Sequence, residues 1–307
     1  MKILITGATG LVGQAIQAQL KKDNMSYVFL TTSKQKVDGK KSFFWQPSAN
    51  MIDANAFEGI THIINLAGAS ISEPWTTSHK EEVLSSRIDA INALSHFLKN
   101  NDHQVKHIVS ASASGIYRSD LNTIYTEDAT AINSEFLGQV VQKWEQAMDT
   151  FKAMNLDVTI LRIGVVFSNK GGALPKIIQP IKFFIGSFMG NGSQWLSWIA
   201  LEDLAHMFVF VINKNCLGIY NAVSPEPTTN KALTLAIAKQ LNRLIIFPPI
   251  PKVLMKIVLG ERHVLLFDSQ NVSSKKIENQ GFKFKYYNLQ SYLNTLFHSY
   301  PKVLGKI

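Results

Sequence analysis

A chain of 307 residues with 46% hydrophobic content is long enough for one large or two modest domains and too apolar to remain disordered. The balance of 31 basic to 22 acidic residues, a formal charge of +9, favours anionic small molecules. The basic residues are dispersed, so no nucleic-acid surface is expected. Cys216 is the single cysteine, which excludes an internal disulfide and a cysteine-held zinc.

Residues 2–6 form a short apolar run that leads directly into Gly7, Gly10 and Gly13 and then into a helical pattern carried by Leu11, Val12, Ala15, Ile16 and Leu20. A strand, a glycine turn and a helix in that order make a dinucleotide cradle. Gly7 permits the tight turn, Gly10 lets backbone reach a pyrophosphate, and Gly13 lets helix pack on strand. The helix N-terminus then offers free N–H groups to phosphate. Because this strand starts at Lys2, no leader peptide is expected ahead of it, and the cytoplasm is the expected location. No apolar run reaches the ~18 residues a membrane helix needs, so no membrane association is expected.

Residues 26–32 read as a second strand. After it stand Thr32, Ser33 and Lys34, with no carboxylate before Asp38. An acidic side chain here would bind a ribose 2′-OH, whereas hydroxyls and a cation suit a 2′-phosphate. NADP(H) is therefore the expected cofactor, with NAD(H) the alternative. Residues 43–45 and 60–66 read as further strands, the latter ending in Asn65-Leu66-Ala67-Gly68-Ala69, small residues that leave room for a ligand at a strand's carboxyl end.

Leu84, Ile88, Ile91, Leu94 and Leu98 recur at helical spacing over residues 77–100, with Arg87 inside this helix as a candidate phosphate ligand. Residues 106–110 form a fifth strand followed by Ser112, Ser114 and Tyr117, hydroxyls placed to meet a substrate carbonyl or alcohol. His103 and His107 stand at the entry of this strand, where their spacing does not present both rings as a helix would, so no metal site is expected. A helix over 135–154, a strand over 157–167, a helix over 201–212 and a strand over 218–222 complete the alternation. The stretch 171–197, rich in glycine and aromatic residues, reads as an insertion over the site. Trp195 within it and Trp198 just after it either stack on a ligand or fill a core.

Gly7-x-x-Gly10-x-x-Gly13, Asn65-Leu66-Ala67-Gly68, Leu161-Arg162 and the run Trp198-Ile199-Ala200-Leu201-Glu202-Asp203-Leu204 together resemble the extended short-chain dehydrogenase/reductase superfamily, in its NAD-dependent epimerase/dehydratase branch. Ser86-Arg87, Gly171-Gly172-Ala173-Leu174-Pro175, Gly192-Ser193-Gln194-Trp195 and Gly281-Phe282-Lys283-Phe284 are similar to an atypical "epimerase family protein" subgroup with a C-terminal domain of unknown function. The resemblance implies a Rossmann-type doubly wound parallel sheet, residues 1–170 and 198–224, with a smaller substrate-side domain in 171–197 and 225–307. The cofactor set expected from the turn and the resemblance together is Gly7, Thr9, Gly10, Leu11, Val12, Gly13, Thr32, Ser33, Lys34, Leu66, Ala67, Gly68, Arg87, Ser110 and Arg162.

The superfamily's usual engine is a Tyr-x-x-x-Lys pair on a helix, the lysine lowering the tyrosine pKa. None of the eight tyrosines here has a lysine four positions later. Aligned through Glu145, the pair's places fall to Leu137 and Val141, which cannot transfer a proton. Lys143 lies about 200° around the helix from Val141. Ser112, Ser114 and Tyr117 are then the candidate catalytic groups. Two functions follow: an NADP(H)-dependent oxidoreductase or epimerase-like enzyme, acting on a nucleotide sugar or other small carbonyl or alcohol compound, or a non-catalytic NADPH sensor. The sequence leaves the oligomeric state open, with a homodimer among the options.

Overall fold

The computed structural model describes residues 1–298. Its first strand, β1 (Lys2–Thr6), is followed by α1 (Leu11–Lys22) and β2 (Ser26–Thr31), the parallel crossover that the glycine turn predicts. Then come β3 (Ser42–Gln46), β4 (Met51–Ile52), β5 (His62–Asn65), α2 (Thr77–Asn100), β6 (His107–Ala113), β7 (Ile124–Tyr125), α3 (Phe136–Ala147), α4 (Asp149–Lys152) and β8 (Asp157–Ile163). The second half runs β9 (Val165–Phe167), α5 (Ala173–Lys182), β10 (Trp195–Leu196), β11 (Trp198–Ala200), α6 (Leu201–Asn213), β12 (Gly218–Ala222) and β13 (Thr228–Thr229). It closes with α7 (Asn230–Gln240), α8 (Lys252–Leu259), α9 (Val264–Phe267), β14 (Asn271–Val272), α10 (Lys275–Asn279) and α11 (Leu289–His298).

Eight strands build the central sheet in the order β12-β8-β6-β5-β1-β2-β3-β4, every pair parallel except β3 with β4. Helices α1 and α6 pack together on one side, and α2 and α3 on the other. With both faces covered, central strands must be apolar throughout. Ile3, Leu4 and Ile5 are accordingly fully buried, each worth roughly 1.5–3 kcal/mol of apolar transfer. The chain winds outward from β1 through β2 and β3, then returns to β5 and winds the other way. That reversal puts the ligand crevice of such a sheet at the carboxyl ends of β1 and β5.

Two expected elements break. The strand predicted over 157–167 splits at Gly164, because β8 stays in the sheet while β9 leaves it to pair with β11. A Cβ on Gly164 would stand 2.2 Å from the Ser197 carbonyl oxygen, so only glycine permits this crossing. The helix predicted over 135–154 is interrupted at Met148, which separates α3 from α4.

A second core forms beside the sheet from Phe167, Trp198, Leu174, Ile181, Leu233 and Leu293, drawing on α5, α7 and α11. Trp198 is wholly inside it, stacked on Phe167 at 5.2 Å with its Nε1 donating to the Glu226 carbonyl. Trp195 is half-buried and donates to the Leu121 carbonyl. The tail is not wholly separate from the sheet, since Ile277 and Phe282 belong to the sheet's own core. Asp203, at the start of α6, fastens the join by accepting the backbone N–H groups of Lys285 (2.7 Å) and Tyr286 (3.0 Å).

Candidate functional site

The glycine turn has the geometry of an anion cradle. Gly7 has φ +65°, and a Cβ there would sit 2.7 Å from the Leu66 carbonyl oxygen, so the turn and the approach of the β5 end both require glycine. Gly13 lets α1 lie on the turn, because its Cβ would meet the Gly7 carbonyl oxygen at 2.5 Å. Gly10 differs from both. It is the N-cap of α1, makes no side-chain cap, and a Cβ on it would meet only the Gly7 oxygen, at 3.4 Å. The open side of Gly10 exposes the first amides of α1, among them those of Leu11 and Val12, to an incoming anion. Thr9 is exposed at the rim, and Gly171 and Gly172 lie over the Leu11 side chain, bringing the start of the 171–197 segment to this end of the crevice.

Beneath the cradle lies a buried polar ladder that the sequence reading missed. Thr6 donates to Asn65 Oδ1 at 2.6 Å and accepts the N–H groups of Leu66 (3.1 Å) and Ala67 (3.2 Å). Asn65 in turn donates to Ser110 Oγ at 3.3 Å, and Ser110 donates to the Ala111 carbonyl. Thr6 and Asn65 thereby set the course of the Leu66-Ala67-Gly68 strand end. The available signal was a polar residue closing each of two apolar strands. Ser110, expected among the cofactor ligands, is fully buried within the sheet with its hydroxyl engaged in this ladder.

At the carboxyl end of β2, Thr32 and Lys34 are exposed, and Lys34 Nζ lies 5.5 Å from the Phe44 ring centre. Ser33 is tied locally, its N–H to Thr31 Oγ1 and its hydroxyl to Gln35. The first carboxylate beyond them, Asp38, accepts the backbone N–H groups of Lys40, Lys41 and Ser42 at 2.7–2.9 Å. Those bonds hold its carboxyl well below the usual range and leave it committed to its own turn.

Arg87 reaches from α2 to the Gly68 loop. Its Nη1 donates to the carbonyls of Val83 (2.6 Å) and Ala69 (3.2 Å), and its guanidinium lies 4.9 Å from the Trp144 ring centre. A Cβ on Gly68 would come within 2.9 Å of Arg87 Cζ, so the small residue makes room for the cation. Burial lowers the arginine pKa to about 10, and the group stays charged at neutral pH. No carboxylate forms a salt bridge with it among the described residues.

The candidate catalytic hydroxyls fall in a different environment from the one expected. Ser112 donates to Glu145 Oε1 at 2.6 Å, and Glu145 also takes Arg162 Nε (2.9 Å) and Nη2 (2.8 Å). Arg162 Nη1 donates to the Tyr117 hydroxyl (3.0 Å) and the Glu127 carbonyl, while Tyr117 donates to Asn221 Oδ1 at 2.6 Å. All three nitrogens of Arg162, expected among the cofactor residues, are engaged inside the protein. Burial disfavours the charged guanidinium, but the bonds and charge of Glu145 more than offset it and raise its pKa.

Tyr117 is 1% exposed, and burial pushes its pKa upward, against the direction a proton-transferring tyrosine needs. The structure therefore joins Ser112 and Tyr117 through Arg162 rather than presenting them to a ligand. Ser114 stands apart, with one long bond of 3.4 Å to Gln270. Of the two helix positions without a tyrosine and lysine, Val141 is buried in one cluster with Ile116 and Tyr117, while Leu137 is half-buried, 3.8 Å from where a Gly115 Cβ would stand.

Residues 3–222 match the NAD dependent epimerase/dehydratase family, and residues 250–296 match a domain of unknown function. An epimerase family protein of Staphylococcus aureus strain MRSA252 is 33% identical over 297 residues, covering 95% of this chain and 98% of its own. Among solved structures, a human epimerase family protein with NADPH superposes with a TM-score of 0.85 at 24% identity, covering 97% of this chain and 100% of that one. That likeness speaks for the fold. A nucleoside-diphosphate sugar epimerase from Corynebacterium glutamicum gives a TM-score of 0.77 at 28% identity, with 95% of this chain and 57% of that chain covered.

Proposed function

The chain belongs to the NAD dependent epimerase/dehydratase family, and on that premise we propose that it is an NADP(H)-binding oxidoreductase or epimerase-like enzyme acting on a small carbonyl or alcohol compound. The observation that carries this reading is the uncapped N-terminus of α1, where Gly10 leaves open the side that any larger residue would close. A pyrophosphate fits that cradle by charge and by hydrogen bonding. Thr32, Ser33 and Lys34 then meet the 2′-phosphate of the adenosine ribose, and Arg87 adds a positive charge beside the Gly68 loop. The bound nicotinamide supplies hydride chemistry. The protein's part is to hold it in the crevice and to manage the proton.

One observation favours a second reading. With an apolar Leu137 and a packed Val141 where the family's tyrosine and lysine stand, and Tyr117 locked to Asn221 and Arg162, the protein lacks the usual proton-transfer pair, as a sensor of NADPH would. The two readings separate in single-turnover absorbance of bound NADPH against a panel of carbonyl compounds and nucleotide sugars. Oxidation by any of them supports the enzyme, and tight binding without oxidation supports the sensor. The shared premise is tested by Gly10→Val. If that variant folds and binds NADPH as well as wild type, the cradle is not the cofactor site.

A further inference from the structure

Leu137, whose Cβ lies 3.8 Å from where a Cβ on Gly115 just past the end of β6 would stand, lines a cavity of about 220 Å³ that neither the dinucleotide cradle nor the Arg162 network accounts for. One wall is Trp75, from the loop after β5, with Phe136 and Leu137 at the start of α3; the other is Lys256, His263 and Asp268 from the C-terminal region. Trp75 meets Phe136 edge-on at 5.0 Å, which makes that wall apolar. The walls are fastened across the opening, because Lys80 of α2 pairs with Glu261 and Arg262 donates to the Ser72 carbonyl at 2.8 Å. A cleft at the carboxyl ends of parallel strands, between two packed bodies, is where an α/β protein receives a small ligand.

Among the lining groups, the carboxyl of Asp268 stands out by what it does not do. It accepts no hydrogen bond from any described residue, and only its backbone N–H is bonded, to the Val264 carbonyl at 2.9 Å. Burial raises its pKa and Glu135 adds to the rise, while Lys252 and His263 act against it. His263 is itself held, its Nδ1 2.9 Å from the Gly260 carbonyl, which fixes the proton on that nitrogen in the neutral ring. Lys256 and Glu261 complete the charged groups around the cavity, with Glu261 neutralised by Lys80.

We propose that Asp268 is the proton donor and acceptor for a small carbonyl or alcohol substrate held in this cavity, in place of the missing tyrosine. The proposal rests on the NADP(H)-dependent enzyme reading. In the reductive direction the carbonyl carbon gains a C–H bond by taking hydride from NADPH. Its π pair moves to oxygen, and that oxygen takes the proton of the Asp268 carboxyl. The products are the alcohol, NADP⁺ and the Asp268 carboxylate, which regains a proton from solvent. A carboxyl whose pKa burial raises is better suited to give and take a proton than an ordinary exposed aspartate. The cavity lies below the ~300–1,000 Å³ of drug-sized ligand sites, so it fits a single ring or a short chain and not a nucleotide sugar.

The test uses the full chain loaded with NADPH, with 4-nitrobenzaldehyde and cyclohexanone as probes. Single-turnover NADPH oxidation is compared in wild type, Asp268→Asn and Asp268→Glu, and the Asp268 carboxyl is followed by ¹³C NMR. The expected result is a roughly 10²- to 10⁴-fold loss in the asparagine variant, partial recovery with glutamate and unchanged NADPH affinity. The wild-type carboxyl should titrate above the ~3.9 of an ordinary aspartate and move when cyclohexanone is added to the NADP⁺ form. The proposal is overturned by an asparagine variant within about threefold of wild type, by a carboxyl signal indifferent to the probe, or by NADPH-loaded wild type that reduces neither compound. Failure of wild type to bind NADPH at all is a separate result, one that removes the dinucleotide reading and this proposal with it.

Discussion

Glu145 holds Arg162 in a two-point ion pair, Oε1 to Nε at 2.9 Å and Oε2 to Nη2 at 2.8 Å, with both side chains largely out of water. Breaking such a pair from one side leaves a charge buried without a partner, at a cost of about 3–5 kcal/mol. Glu145→Ala should therefore lower unfolding free energy by about that amount, as read from urea midpoints. Adding Arg162→Met to the same chain should recover part of the loss, because the stranded charge goes with it. Losses that simply add in the double variant would show that the two side chains are not coupled.

The elements and the outline of this site were legible because each rests on a local signal. A strand that ends in three spaced glycines before an apolar helix face leaves little choice of structure, and the reversal of strand order follows from the alternation of strands and helices. The side-chain partners were not legible. Ser112, Tyr117 and Arg162 look like ligand-facing polar groups in a linear reading, yet their partners Glu145, Asn221 and Glu127 come from distant stretches of chain. The break at Gly164 was hidden for a similar reason, since the oxygen that crowds it belongs to Ser197. Asp268 gave no motif at all.

His107 predicts acid sensitivity. Its ring is buried with Nε2 2.8 Å from Thr159 Oγ1, and burial, followed by the nearby His62, lowers its pKa from 6.5 to about 4. The folded value lies below the unfolded one, so the associated stability is present above about pH 6.5 and is lost as pH falls toward 4. The amount at stake is on the order of 3 kcal/mol. Urea unfolding at stepped pH should show this decline, and His107→Gln should flatten it. An equally steep decline in the variant would assign the effect to other groups.

Gly13 and Gly10 should fail in different ways. A methyl on Gly13 meets turn backbone at 2.5–2.8 Å, so Gly13→Ala forces α1 off the turn and should cost roughly 1–3 kcal/mol, seen as a lower melting temperature. A methyl on Gly10 meets nothing closer than 3.4 Å, so Gly10→Ala should melt close to wild type while binding NADPH more weakly. Equal melting temperatures for the two variants would contradict the packing described for Gly13.

The preference between cofactors turns on Lys34 and Asp38. A carboxylate facing the ribose would accept a 2′-OH and repel a 2′-phosphate, but Asp38 is bound by three backbone amides of its own turn. Lys34 is exposed at the end of β2, with its Nζ 5.5 Å from the Phe44 ring centre. A charge-assisted contact from it to a 2′-phosphate is worth about 1.5–3 kcal/mol, or roughly 10- to 150-fold in affinity. Fluorescence titration should therefore show NADPH binding more tightly than NADH, with most of that difference lost in Lys34→Ala and the NADH affinity nearly unchanged. Because the contact is partly exposed, raising ionic strength should narrow the gap in wild type and leave the variant almost unaffected. Equal affinities in wild type at low salt would remove Lys34 from the site and with it the assignment of NADP(H).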